Sequence, residues 1–269
     1  MAVKIAIYGL ESIPRIRRGD DLGKKIVDAA IRENVGIEDN DIIVVSSKIV
    51  SKAEGRYVSL KNVVPHEKAK VLARKIGKDP RLIEVILRES EKIIKAEKGH
   101  LIVKTKWGHT CANAGVDRSN VSREEDEVLL LPQNPDASAR RLRQRIEELT
   151  GKRVSIVITD TYGRPLREGQ VDMAIGSSGI YPFKDYRGQR DLEGHVLRVK
   201  LIALLDEIAA AAELVKGNGA EGRPVAIIRG LSYERCENSD SRVLIMKRTG
   251  GFLGNLPLEF KAFPPNSVH

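Results

Sequence analysis

The sequence predicts a mixed α+β fold, and three observations carry this. Short apolar runs of strand character alternate with amphipathic stretches of helical period. The runs often come in pairs with no helix between them, which regular βαβ winding would not produce. No repeat of about 20–50 residues and no low-complexity linker divides the chain. Residues 1–269 therefore read as one unit, with two intimately joined lobes whose boundary is not legible.

The elements follow in order. VKIAIYG is a strand. Asp20-Asp21-Leu22 starts a helix to about Asn34, with acidic residues where the positive end of a helix dipole favours them. DIIVVSSKIV is β-rich. Residues 66–78 and 80–96 predict helices, the second opened by Pro80 near its first position, where a missing N–H is harmless. LIVKT and EVLLLP are buried strands. Pro135-Asp136 begins a long helix to about Thr150, and Gly151 suits its C-terminal cap. VSIVITD and DMAIGSSGI are strands. Residues 196–216 carry the longest helical pattern. VAIIRG is a strand, and RVLIMKR a strand or a short helix.

Composition narrows the function classes. The chain is 41% apolar and 31% charged, the balance of a globular protein rather than a disordered one. No run approaches the ~20 apolar residues needed to span a bilayer, and MAVKIAIYGL lacks a signal-peptide layout, so a cytoplasmic protein is expected. Two cysteines, Cys111 and Cys236, give no disulfide framework, and His109-x-Cys111 has no second pair to complete a zinc site. The net charge of +9 favours anionic partners. Nucleic acid is a weak candidate, because aromatic residues make up only 4% and no helix-turn-helix, zinc-finger or RNP signature occurs.

No nucleophilic triad declares itself, and neither G-x-x-x-x-G-K-[ST] nor a strand-linked G-x-G-x-x-G is present. Three carboxylates stand out instead. Asp160 ends an apolar strand and is followed by Thr161; Asp117 sits in NAGVDRSN with Asn120 three residues on; Glu221 sits in the glycine-rich KGNGAEGRP. Loop carboxylates and a hydroxyl suit hard cations such as Mg²⁺, although each alone also reads as a turn or cap residue. Lys48 and Lys52 follow DIIVV and, on an extended strand, would share a face, either toward phosphate or as a solvated edge. Arg15, Arg17 and Arg18 precede a helix start, and the KGNGAEGRP glycines could cradle phosphate or form a cap and turn.

Six stretches in order, GLESIPRIRRGDDL, DIIVVSSKIVSKAEGR, HTCANAGVDRSN, VITDTYGRPLREGQVDMAIGSSGI, DYRGQRDLEG and KGNGAEGRP, resemble the coenzyme F420-0:L-glutamate ligases, also called F420-0 γ-glutamyl ligases. The resemblance implies a specific reaction in coenzyme F420 biosynthesis: GTP-dependent joining of L-glutamate to F420-0, then of a second, γ-linked glutamate, through an acyl phosphate. It implies Mg²⁺ or Mn²⁺, stimulation by K⁺, and an unusual α+β fold in an intertwined homodimer. Asp117 and Asp160 are implied as ligands of one cation, with Thr161, and less firmly Glu221, at a second. Ser12, Ile13, Pro14, Arg15, Ser46, Ser47, Lys52, Asn120 and the 217–224 loop, including Gly217, Gly219, Glu221 and Gly222, are implied as guanine-nucleotide contacts. Gly163 and Pro165 are then expected to turn the chain so that Arg164 and Arg167 face anionic substrate. A related amide ligase using ATP and another carboxylate is the alternative.

Overall fold

The structure, a computed structural model, describes residues 2–121, 126–164 and 167–246. In chain order the elements are β1 (Ala6–Leu10), α1 (Leu22–Arg32), β2 (Ile42–Ser46), α2 (Ser47–Ala53), β3 (Tyr57–Ser59), α3 (Glu67–Ile76), α4 (Pro80–Arg88), β4 (Ser90–Glu97), β5 (His100–Thr105), β6 (Thr110–Ala112), β7 (Glu127–Leu129), α5 (Pro135–Thr150), β8 (Ser155–Gly163), β9 (Gln170–Ser178), β10 (Lys184–Asp185), β11 (Leu201–Ile202), α6 (Leu204–Lys216) and β12 (Val225–Arg229). The fold class is the mixed α+β one expected from the sequence.

The main sheet has five strands in the order β1-β12-β2-β8-β9. Its pairs are antiparallel except β2 with β8, which run parallel. Alternation along the strands feeds two apolar layers. On β2, Ile43 and Val45 join a core with α1, α2 and α5, while Ile42 and Val44 join a second core under α6. Because both faces are covered, β2 reads IIVV without alternation. A third core lies among α3, α4, β5 and β7, with Ile83, Ile86, Leu101 and Val128 fully or almost fully buried.

Helix α5 is bounded as its sequence dictates: the Asn134 side chain accepts from the Ala137 N–H, Pro135 occupies the first turn, and Gly151 closes the helix at φ 67°. Three expectations are corrected. The helix over 80–96 stops at Arg88, because 90–97 pair instead with β5 in a hairpin. The helix over 196–216 begins only at Leu204. The β-rich stretch 41–50 ends its strand at Ser46, and α2 follows directly. Of RVLIMKR, residues 242–244 form part of a 3₁₀ turn, and 247–248 lie outside the described residues.

The β8–β9 ladder carries one irregularity. Ile158 pairs with Gly176 but Thr159 with Ala174, so Ile175 is an extra residue on β9. Beyond it, Thr161 stands opposite Asp172.

Candidate active site

The parallel β2–β8 pair sets two chain ends side by side, with Ser46 opposite Thr159. From β2 the chain turns straight into α2, while β8 runs on through Asp160 and Thr161. Successive residues of a strand face opposite sides, so the tip of β8 presents Asp160 toward α2 and Thr161 toward α6. Ser47 Oγ donates to Asp160 Oδ1 at 3.0 Å. Lys48 and Lys52 are helical rather than extended, but a spacing of four again gives one face. That face meets the 113–120 loop. Lys48 Nζ lies 2.7 Å from Asp117 Oδ2 and donates to the Ser119 carbonyl at 3.0 Å. Lys52 Nζ donates to the Asn120 carbonyl at 2.6 Å. The loop reaches this position through left-handed backbone at Asn113, Ala114, Gly115 and Asn120.

The third side is the loop after α6. Asn218 Nδ2 donates to Thr161 Oγ1 at 2.8 Å, and Asn120 Nδ2 donates to the Gly219 carbonyl at 3.5 Å. The contacts therefore close a ring: α2, the Asp117 loop, the 217–222 loop, the tip of β8, and back to α2 through Ser47.

The ring is electrostatically strained. Burial, opposed by the Ser47 hydrogen bond and reinforced by the Asp172 and Asp117 charges, pushes the Asp160 carboxyl up to about 7. Burial would raise Asp117 too, but Lys48 and the Ser119 N–H and hydroxyl hold it below the usual range. Burial and the neighbouring Lys48 and Arg15 charges lower the Lys52 ammonium, which brings Arg15 into the same field. Burial and Asp160 push the Cys111 thiol to about 12, leaving it a protonated, inert neighbour.

The Glu221 carboxylate turns onto its own loop and accepts the Gly219 N–H at 2.8 Å; Asn218 is the side chain of that loop that meets Thr161. The Ser12 N–H donates to Glu33 Oε1 at 2.7 Å and its carbonyl accepts from Arg32, while Ile13 packs on the core and Pro14 and Arg15 are exposed. Arg164 folds back onto the Glu168 carbonyl instead of facing the ring, and Pro165 lies outside the described residues. Among the described residues, no three of His, Cys, Asp and Glu converge as a ready-made metal cage. Two concavities, of about 230 and 540 Å³, share Glu54 and Arg141 in their linings and include none of Asp117, Asp160 or Thr161. Within the ring, the Lys48 and Asp117 side chains are 27% and 33% exposed.

Asp172, Glu213 and Lys216 were not singled out by sequence. Lys216 reads there as an ordinary cation at a helix C-terminus, and Asp172 as the polar start of a strand. The lone signal, Asp172 directly before an apolar run, is too common to use.

The mixed α+β fold draws carboxylates, hydroxyls and lysines from four distant segments to one end of its main sheet, and comparison with known proteins specifies the family. The F420-0:Gamma-glutamyl ligase family profile matches residues 11–230. Coenzyme F420:L-glutamate ligase of Methanopyrus kandleri is 46% identical over 228 residues, 84% of this chain and 88% of that protein. The protein of that name from Archaeoglobus fulgidus is 45% identical over 230 residues, 86% and 89% of the two chains. That from Methanosarcina mazei is 44% identical over 239 residues, 89% and 91%. The chain belongs to the F420-0:gamma-glutamyl ligase family. No helix among the described residues is long and apolar enough to cross a membrane.

Proposed function

We propose that this chain is a GTP-dependent ligase that adds L-glutamate to coenzyme F420-0, one residue and then a second γ-linked one, in coenzyme F420 biosynthesis. The observation that carries the reading is the closed ring of Ser47, Lys48, Lys52, Asp117, Asn120, Thr161 and Asn218 around the strand tip that bears Asp160.

The chemistry needs no protein nucleophile. A carboxylate resists attack by an amine because it would have to expel oxide. Transfer of the γ-phosphoryl group of GTP to the F420-0 carboxylate gives an acyl phosphate and GDP. The glutamate amine attacks its carbonyl carbon, the C–N bond forms, the C–O bond to phosphate breaks, and a proton leaves the nitrogen. What the chain supplies is alignment and charge balance. Lys52 and Arg15, already crowded by like charge, gain by meeting phosphate oxygens. Ser12–Arg15, Ser46, Ser47, Asn120 and the 217–222 glycine loop hold the nucleotide, and the net charge of +9 draws its anionic substrates.

The donors at the strand tip fit Mg²⁺ or Mn²⁺. Asp117, Asp160 and Thr161 offer only hard oxygens, and the Asp160 carboxyl is raised partly by carboxylates that a cation would offset. Asn218 rather than Glu221 is the partner of Thr161 in the 217–222 loop. Asp117, Asp160 and Thr161 would hold such a cation, which would supply positive charge beside the transferring phosphoryl group. Stimulation by K⁺, an intertwined homodimer and a cytoplasmic location complete the reading.

The test is incubation with F420-0, L-glutamate, GTP and Mn²⁺, following product mass with ATP and metal-free controls. Stepwise gain of glutamyl residues matched by GDP release is the expected result. No mass gain with any nucleotide, on confirmed F420-0, would refute it, and equal turnover with ATP would remove the GTP assignment.

A further inference from the structure

Beneath Thr161 lies an ion pair that the proposed chemistry leaves unused. The side chains of Lys216, the last residue of α6, and Asp172, on β9, are only 3% and 8% exposed. Lys216 Nζ donates to Asp172 Oδ2 and to Thr159 Oγ1, both at 2.7 Å. Thr159 Oγ1 donates to the same carboxylate oxygen at 2.9 Å. The other oxygen, Asp172 Oδ1, accepts from Thr161 Oγ1 at 3.0 Å. A buried ion pair seldom adds net stability; what this one adds is orientation.

The proton inventory is determinate. A carboxylate paired with an ammonium only accepts, so the single Thr161 hydroxyl proton has a charged acceptor in Asp172. Its competitor, Asn218 Oδ1 at 3.2 Å, is neutral and farther away. Both Asn218 amide protons are also committed, one to Thr161 Oγ1 at 2.8 Å and one to Glu213 Oε1 at 2.9 Å. Glu213 Oε2 in turn accepts the Asp172 N–H at 2.8 Å. The circuit closes with the Thr161 proton turned inward to Asp172, one hydroxyl lone pair accepting from Asn218, and the second lone pair left over.

We propose that Asp172, held by Lys216, is a positioning residue for Thr161. It commits the hydroxyl proton inward and leaves the oxygen an acceptor only, the form in which a neutral oxygen can meet a divalent cation. This inference rests on the function proposed above. A partner one step removed from a cation's ligand typically changes its affinity 10–100-fold, so the pair sets how tightly the site holds its cation without touching it.

The experiment is a Mn²⁺ titration of the full chain with GDP, reading free Mn²⁺ by electron paramagnetic resonance. Asp172→Asn places an amide donor against Thr161 and should weaken binding about 10–100-fold. That variant leaves Lys216 unpaired, so the double variant Asp172→Asn/Lys216→Met, which buries no lone charge, is run beside it and should show the same loss. Thr161→Val should also lose this affinity, and Thr161→Ser should keep it. Combining Thr161→Val with the double variant should cost nothing further, because both changes remove one interaction. Unchanged Mn²⁺ affinity in the double variant, or losses that add, would overturn the positioning role while leaving the proposed function intact. Absence of Mn²⁺ binding to the wild-type protein with GDP would overturn both.

Discussion

Replacing Asp160 by Asn tests the electrostatics of the ring directly. The wild-type carboxyl is pushed from the ordinary aspartate value of 3.8 to about 7, first by burial and then by Asp172 and Asp117. A folded value above the unfolded one means that this group favours folding most below about pH 3.8, and that the benefit is lost as pH rises through about 7. At 1.36 kcal/mol per pH unit the rise corresponds to about 4 kcal/mol. Asp160 keeps part of its surface exposed, so solvent screening reduces this to about 2 kcal/mol. Asn has nearly the same shape, carries no charge and still offers an oxygen to Ser47. Without divalent cations, Asp160→Asn should therefore be more stable than wild type by about 2 kcal/mol at pH 8, a melting point about 4–8 °C higher for a chain of this size. The gap should close toward pH 4. Calorimetry in chelator at several pH values reads it. With Mn²⁺ and GDP added, the order should reverse, because the variant has lost a carboxylate for the cation, and ligation should fail. Equal stability of the two proteins at pH 8 in chelator, or a less stable variant, would refute the account of Asp160 as a carboxylate raised by burial and by its like-charged neighbours.

Two further outcomes are expected. Lys52→Ala removes an ammonium that reaches the Asn120 carbonyl at 2.6 Å and should raise the KM for GTP about tenfold, the scale of one charge-assisted hydrogen bond, with kcat less affected; steady-state kinetics showing an unchanged KM would remove Lys52 from the nucleotide site. Gly176→Ala would place a Cβ 2.6 Å from Pro135 backbone and side-chain atoms, so β9 or α5 must shift, and urea denaturation should show a loss of about 1–3 kcal/mol.

How much was legible in the sequence depended on where the deciding forces act. The helix over 135–150 was readable to the residue because its limits are local: an Asn cap, a proline in the first turn and a glycine that accepts the left-handed exit. The stretch 90–97, SEKIIKAE, was misread because its Glu, Lys and Ala favour helix, while the hairpin with β5 across Gly99 overrides that preference. Ser46 marks the strand-to-helix switch at the start of α2, but a serine after a run of valines serves a turn equally well. In the site, Asp117, Asp160 and Thr161 stood out because polar residues interrupt apolar or glycine-rich stretches. Asp172 and Lys216 did not, since their meaning lies in a contact across 44 residues. Arg164 has a local option that sequence reading did not weigh, the Glu168 and Gly169 carbonyls close by in the chain.

The extra residue on β9 works as a shift of reading frame between two strands. Had the ladder continued evenly from Ile158 and Gly176, Met173 would stand across from Thr161; with Ile175 inserted, Asp172 does. One supernumerary residue thus decides whether the strand tip is backed by a thioether or by a charge. Between the bulge and the tip, the spelling of both strands is locked together: a one-residue insertion or deletion on either would exchange the sides on which carboxylate and hydroxyl emerge. Length changes should therefore be tolerated in the connection after Gly163 far better than in the few residues before it.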